Sequence, residues 1–173
     1  MQPTIRPATV ADVEDFVTMK NEAWRWAYAG ILAAEHLAAL TIDEQAAAWR
    51  ERFARPPADT VDWVFVAVDG DRVVGVAGAQ PSRDDDAAPS TGELGMLYLS
   101  PDHVGRGLGR ALHDRALATL GDAGFDRATL WVLEANTRGR GFYEHMGWSP
   151  DGVRGEHMVE CANHPMLRYT IAL

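Results

Sequence analysis

The stretch Leu97-Tyr98-Leu99-Ser100-Pro101-Asp102-His103-Val104-Gly105-Arg106-Gly107-Leu108-Gly109-Arg110 constrains the fold more than any other. A strand-like apolar run enters it, and an amphipathic helical pattern (Leu108, Ala111, Leu112, Ala116, Leu120) leaves it. A strand thus passes through three closely spaced glycines into a helix, which points to layered strands and helices. Glycines let backbone N–H groups approach a ligand, and a helix N-terminus adds partial positive charge. Together they make an anion site suited to a pyrophosphate, with Arg106 and Arg110 as further phosphate donors. On its own residues the turn leaves three readings open. A P-loop needs Gly-Lys-Ser/Thr where Leu108-Gly109-Arg110 stands. A Rossmann turn needs a glycine at Leu112 and a place in the first βαβ unit, whereas about ninety residues come before this turn. The third reading is a tight turn that binds nothing.

The rest of the chain supplies the context. Ile5-Arg6-Pro7 reads as a short strand broken by proline. Thr9 caps a helix carrying Val13, Phe16, Val17 and Trp24 on one face. Helical stretches follow over Leu32 to Leu40 and from the capping signal Thr41-Ile42-Asp43-Glu44 to about Phe53, where Arg55-Pro56-Pro57 ends the pattern. The period then changes. Trp63 to Val68 and Val73 to Ala77 flank Asp69-Gly70-Asp71 as an antiparallel hairpin. Arg83 to Pro89 is a polar loop whose Asp84-Asp85-Asp86 run reads as a solvated tip. Glu93 to Leu99 is a strand, Ala128 to Leu133 a buried strand and Thr137 to Met146 a helix ended by Gly147. A last segment closes on Leu167-Arg168-Tyr169-Thr170-Ile171.

At 173 residues the chain fits one domain, 1–173, with a core that needs no staples. Hydrophobic residues at 47% and charged residues at 24% exclude a disordered or collagenous chain. No apolar run is long enough to span a bilayer, and Met1 to Arg6 lacks a signal-peptide pattern. One cysteine, Cys161, fits a reducing, cytoplasmic location. A net charge of −9 argues against nucleic acid as a partner and suits a cationic small ligand, although solubility is the stronger explanation. His157, Cys161 and His164 do not have a standard zinc spacing, so no metal is expected. His103, His113 and His145 receive no role.

Two blocks in order resemble the GNAT superfamily of acetyl-CoA-dependent N-acetyltransferases. Val104-Gly105-Arg106-Gly107-Leu108-Gly109 is similar to the family's Gln/Arg-x-x-Gly-x-Gly/Ala, with Val104 at the Gln/Arg place. Leu130 to Trp148 is similar to its strand followed by Asn-x-x-Ala-x-x-Phe-Tyr-x-x-x-Gly-Phe, with Gly139 for alanine and Trp148 for phenylalanine, both mild changes. The resemblance covers nearly the whole chain. It implies a mixed α/β (α+β) domain whose mostly antiparallel, twisted sheet is flanked by helices and has splayed central strands, with acetyl-CoA as co-substrate in the gap. The backbone of Leu97, Tyr98 and Leu99 would hold the pantetheine arm and acetyl carbonyl. The N–H groups of Gly105, Arg106, Gly107, Leu108, Gly109 and Arg110 would hold the pyrophosphate. Asn136 would bond the pantetheine, and Tyr143 would stand near the sulfur.

An amine attacking a thioester must lose a proton, and the leaving thiolate benefits from gaining one. Tyr143 is the candidate acid, against a core tyrosine beside a core Phe142. Glu93 is the candidate base, direct or through water, against an exposed strand-end carboxylate. Unbroken alternation puts Glu93 on one face with Gly95, Leu97 and Leu99, and Leu94, Met96 and Tyr98 on the other. Trp24, Trp26 and Tyr28 stand where the family closes its acceptor pocket, as substrate wall or as helix packing. The partner implied is a small-molecule or peptide amine, with no membrane and with homodimerisation open. A non-catalytic acyl-CoA-binding module is the alternative of another class.

Overall fold

Apolar residues at helical spacing in the first third of the chain and at alternating spacing after it separate a helical region from a sheet. The computed structural model describes residues 3–54, 62–159 and 162–173. Strand β1 (Thr4–Pro7) leads through a 3-10 turn (Val10–Asp12) into α1 (Val13–Ala27), α2 (Ala34–Ala39) and α3 (Asp43–Ala54). Then come β2 (Trp63–Asp69), β3 (Arg72–Pro81), β4 (Thr91–Leu99), α4 (Leu108–Asp122), β5 (Arg127–Leu133) and α5 (Thr137–His145). The hairpin of β6 (Ser149–Val159) and β7 (Ala162–Ala172) ends the fold. One sheet runs β1-β2-β3-β4-β5-β7-β6, antiparallel except for the β4–β5 pair. This is the mixed, mostly antiparallel α/β architecture expected from the sequence. Among the described residues no helix is long and apolar enough to cross a membrane.

The sheet is covered on both faces. Helices α1 and α3 bury Val13, Phe16, Val17 and Ala46 against Val64, Val66 and Val76. On the other face α4 buries Leu112, Ala116 and Leu120 against Phe65, Ala67, Ala128 and Leu130. Neighbouring residues of β2 thus serve opposite cores, which is why the strand is apolar throughout. Two glycines let α4 come close: a Cβ at Gly92 would stand 2.7 Å from Leu120 Cδ2, and one at Gly75 2.8 Å from Leu112 Cδ1. Buried His113 accepts the Trp148 indole N–H at Nε2 over 2.8 Å. Its Nδ1 lies 2.8 Å from Asp114, so the proton sits on Nδ1. The backbone pairs His157 with His164 at the end of the last hairpin, while Cys161 lies outside the described residues.

Two expectations are corrected. Alternation does not run unbroken through β4: Gly78 faces Met96 and Ala79 faces Leu94, which leaves Gly95 as a bulge. Leu94 therefore shares the α4 core with Leu97 and Leu99, and Met96 and Tyr98 pack on the α1 core. With Gly92 and Leu94 facing α4, Glu93 points to the α1 side, the face of Tyr98. The acidic loop is not merely a solvated tip. Asp84 and Asp86 both accept from Arg168 on β7, at 3.2 and 2.5 Å, and Asp151 accepts from its Nε at 2.7 Å.

The start of α1 depends on Asp12. Its carboxylate accepts from Arg6 at 2.6 and 2.8 Å, and from the N–H and hydroxyl of Thr9 at 2.7 and 2.8 Å. The Arg6 hydrogen bonds hold the Asp12 carboxyl down at about 2. A depressed carboxyl contributes stability above its unfolded value and loses it as pH falls through the folded one. Asp12→Asn should therefore lower stability at pH 7 by about 1–2 kcal/mol, a figure discounted for the exposed Arg6. Urea midpoints measured from pH 7 down to pH 2 should show the gap between wild type and variant closing below about pH 4.

Candidate active site

Strands β4 and β5 pair at three positions only: Thr91 with Arg127, Gly92 with Ala128 and Glu93 with Thr129. Beyond them the Gly95 bulge bends β4 away, and the edge of Leu94 to Leu99 that would face β5 has no ladder partner. The gap opens into a cavity of about 340 Å³ that passes through the sheet. Its two sides differ chemically. On the α4–α5 side stand Leu97, Leu99, Gly109, Asn136, Phe142 and Tyr143. On the α1–α2 side stand Trp24, Tyr28, Glu93, Tyr98, Trp131 and Leu133.

The glycine turn closes the first side. Gly105 and Gly107 have φ of 81° and 82°, the left-handed region, and Gly107 is the N-cap of α4. A Cβ at either would meet no atom within 4 Å, so their outer side is open to a ligand. Ala111 N–H makes the first helical bond, to Gly107. The amides of Leu108, Gly109 and Arg110 precede it and have no intrahelical acceptor. Arg106 and Arg110 are exposed beside them. Gly109 differs from its neighbours: it packs inward, and a Cβ there would stand 3.1 Å from Leu99 Cδ1.

Helix α5 brings the second sequence block to the same cavity. The Tyr169 hydroxyl from β7 anchors the helix, donating to Glu144 at 2.7 Å and accepting from Arg140 at 3.1 Å. Asn136 caps it, its Oδ1 accepting from Gly139 N–H at 3.0 Å. Glycine at 139 spares the end of the Asn136 side chain a shift, since a Cβ there would lie 2.6 Å from Nδ2. It makes room for the cap. The reading of Phe142 as a core residue is also corrected. Tyr143 packs on the main core, whereas Phe142 leans on Gly109 and the His113 ring, and both line the cavity. Burial pushes the Tyr143 phenol well above the ordinary tyrosine range, with the nearby Tyr98 adding to it.

On the second side, burial raises the phenols of Tyr28 and Tyr98 in the same way. Trp24 stacks edge-on against Tyr28 at 5.1 Å and lies 6.1 Å from Tyr98, so it is both packing and cavity wall. Glu93 is half-buried where the strands part, and it accepts from Gln80 Nε2 and Arg83 N–H, each at 3.3 Å. Two lining residues carry no sequence signal of their own. Trp131 reads as one more apolar residue of a buried strand. Arg138 covers the Trp26 ring at 3.9 Å and joins α5 to the end of α1, a contact between residues far apart in the chain. Among the described residues no cluster of His, Cys, Asp or Glu is arranged to hold a metal.

Known proteins are similar to this chain in sequence and in fold. Residues 19–148 match the sequence profile of the acetyltransferase (GNAT) family. An uncharacterized N-acetyltransferase of Bacillus subtilis, YuaI, is 31% identical over 134 residues, 77% of this chain and 73% of its own. A mycothiol acetyltransferase of Beutenbergia cavernae is 49% identical over 70 residues, 40% of this chain. That match spans only 24% of the relative's length. The crystal structure of the PaiA N-acetyltransferase of Thermoplasma acidophilum in complex with coenzyme A superimposes with a TM-score of 0.78 at 21% identity, covering 100% of both chains. With the profile matched over most of its length and the relatives' fold reproduced, the chain belongs to the GNAT family of acetyltransferases.

Proposed function

We propose that this protein is a cytoplasmic, single-domain N-acetyltransferase that moves an acetyl group from acetyl-CoA to a primary amine of a small molecule or peptide by direct attack. One observation carries the reading: a cavity through the sheet has anion-binding amides at one end, a buried phenol in its wall and a carboxylate on its far side. Acetyl-CoA supplies the activated thioester. The open outer side of Gly105 and Gly107, with the free amides of α4, fits its pyrophosphate. The unpaired edge of β4 from Leu97 to Leu99 offers backbone groups to the pantetheine and a donor for the acetyl oxygen. Asn136 has its amide nitrogen left for the same arm once Oδ1 has capped α5.

The two proton roles fall on opposite sides of the gap. Glu93, reached from the α1 side, takes the proton of the incoming ammonium, directly or through water. Tyr143 faces the other side and stays a protonated phenol at neutral pH, because burial disfavours its anion. It therefore serves the departing sulfur as a hydrogen-bond donor and acid, never as a base. Trp24 and Tyr28 wall the acceptor's path.

Release of free thiol from acetyl-CoA, measured over a panel of amines, tests the activity. Coenzyme A binding without thiol release for any amine would leave a non-catalytic binding module. Tyr143→Phe should leave coenzyme A affinity little changed and lower kcat at least about tenfold. Wild-type turnover with chemistry rate-limiting would remove Tyr143 from the mechanism. Glu93→Gln should lower the rate about 10²-fold with little change in coenzyme A affinity. A rate unchanged across pH would return Glu93 to a structural role. Gly107→Val forces a branched residue into the left-handed region and should raise the Kd for coenzyme A at least tenfold, about 1.4 kcal/mol. Calorimetry showing unaltered affinity in a folded variant would remove the phosphate cradle.

A further inference from the structure

Glu93 is held by a buried polar residue that the two proton roles do not use. Gln80 of β3 is its cross-strand partner, so both side chains leave the same face of the sheet. Val76, Ala77 and Ala79 around it are buried and apolar, and an amide buried among them needs partners. Gln80 has two. Its Oε1 accepts from the Arg83 guanidinium at 2.9 Å, and its Nε2 donates to Glu93 Oε2 at 3.3 Å. A guanidinium only donates and a carboxylate only accepts, so a single orientation of the amide satisfies both ends. The bare backbone of the Gly95 bulge leaves the amide its place, since a Cβ there would stand 3.2 Å from Nε2.

The same carboxylate oxygen takes a second donor. Arg83 N–H reaches Glu93 Oε2, also at 3.3 Å. That amide belongs to the loop after β3, which is fixed one residue further on. Asp84 accepts from the Trp131 indole at 2.9 Å and from Arg168 at 3.2 Å. The Arg83 guanidinium itself lies 3.8 Å from Asp62, and Asp62 accepts from Arg52 at 2.7 Å. Among the described residues Glu93 Oε1 has no partner. One oxygen is therefore tethered twice, and the other is left bare on a residue that lines the cavity. An untethered glutamate would spread that oxygen over many rotamers, whereas a base must stand within hydrogen-bond reach of one proton.

Resting on the reading of Glu93 as the base, we propose that Gln80 is a positioning residue for acetyl transfer. With Arg83 it fixes Oε2 of Glu93, so that Oε1 alone meets the incoming ammonium or its bridging water. Gln80 does not line the cavity and acts only through Glu93.

The test is a cycle of wild type, Gln80→Leu, Glu93→Gln and the double variant. Each is measured by the single-turnover rate of thiol release from acetyl-CoA, with the panel amine that wild type acetylates fastest. Gln80→Leu keeps the bulk of the side chain and removes its amide. It should lower that rate about tenfold and leave the Kd for coenzyme A within about twofold of wild type. In the Glu93→Gln background the same change should cost less than about twofold, because the group it positions is gone. A packing defect would instead lower both backgrounds by the same factor. Arg83→Met removes the exposed guanidinium that orients the amide and keeps the backbone donor; it should lower the rate about threefold, again only when Glu93 is present. This variant carries the cycle if the leucine variant fails to fold. A folded Gln80→Leu with the wild-type rate, or an equal loss in both backgrounds, overturns the positioning role while leaving Glu93 as the base. A wild-type rate in Glu93→Gln, or coenzyme A binding with no amine acetylated, overturns both.

Discussion

The site depends on a ladder that stops early. Two parallel strands in a sheet covered on both faces would ordinarily stay paired, because each buried N–H or C=O left without a partner costs about 1–3 kcal/mol. Here pairing ends after Glu93 and Thr129. The extra residue at Gly95 turns β4, and bulky groups line the opened gap: Tyr143 from α5 on one side, Trp24 of α1 and Tyr28 at its C-terminal cap on the other. The strands cannot close without expelling aromatic rings packed in separate cores. The unpaired edge of β4 is thus maintained by packing, and it remains available to a ligand with its own amides and carbonyls.

That single break explains the division of labour across the sheet. Everything on the α4–α5 side descends from the two sequence blocks around the glycine turn and Asn136, and it is built for an anion and a long flexible arm. The α1–α2 side is assembled from elements far apart in sequence: the end of α1, Glu93 and Tyr98 of β4, and the outward residues of β5 and β7. The bulge connects the two sides. It lets Leu97 and Leu99 face α4 while Glu93, only four and six positions earlier, faces α1. Without Gly95 the carboxylate would lie on the side that binds the cofactor.

This also marks what could be read from the chain alone. The glycine turn, the hairpin of β2 and β3, the helix of Tyr143 and the order of elements were legible because each rests on local periodicity or a glycine at a positive φ. The bulge was not legible, since a glycine within a strand signals several outcomes and only the register with β3 decides among them. Asp84 and Asp86 read as solvated because their partner, Arg168, lies over eighty residues away on β7. Trp131 is indistinguishable in sequence from a core residue until Gly155 and Asp84 are seen beneath and beside it.

Asn136 and Gly139 show how a family position and a departure from it can belong together. The asparagine side chain has one acceptor and one two-hydrogen donor. In this chain the acceptor is committed to the Gly139 amide, which ends the exposed backbone at the start of α5. The geometry of that bond brings Nδ2 to within 2.6 Å of where a Cβ at 139 would stand, so an alanine would require the end of that side chain to shift. Glycine therefore leaves Asn136 in place as the cap of its own helix, at the cavity wall. The same logic applies to Trp131 over Gly155 on the other side of the gap. In both places a missing side chain fixes the direction of a polar or aromatic one, and each glycine acts on the cavity through a neighbour that lines it.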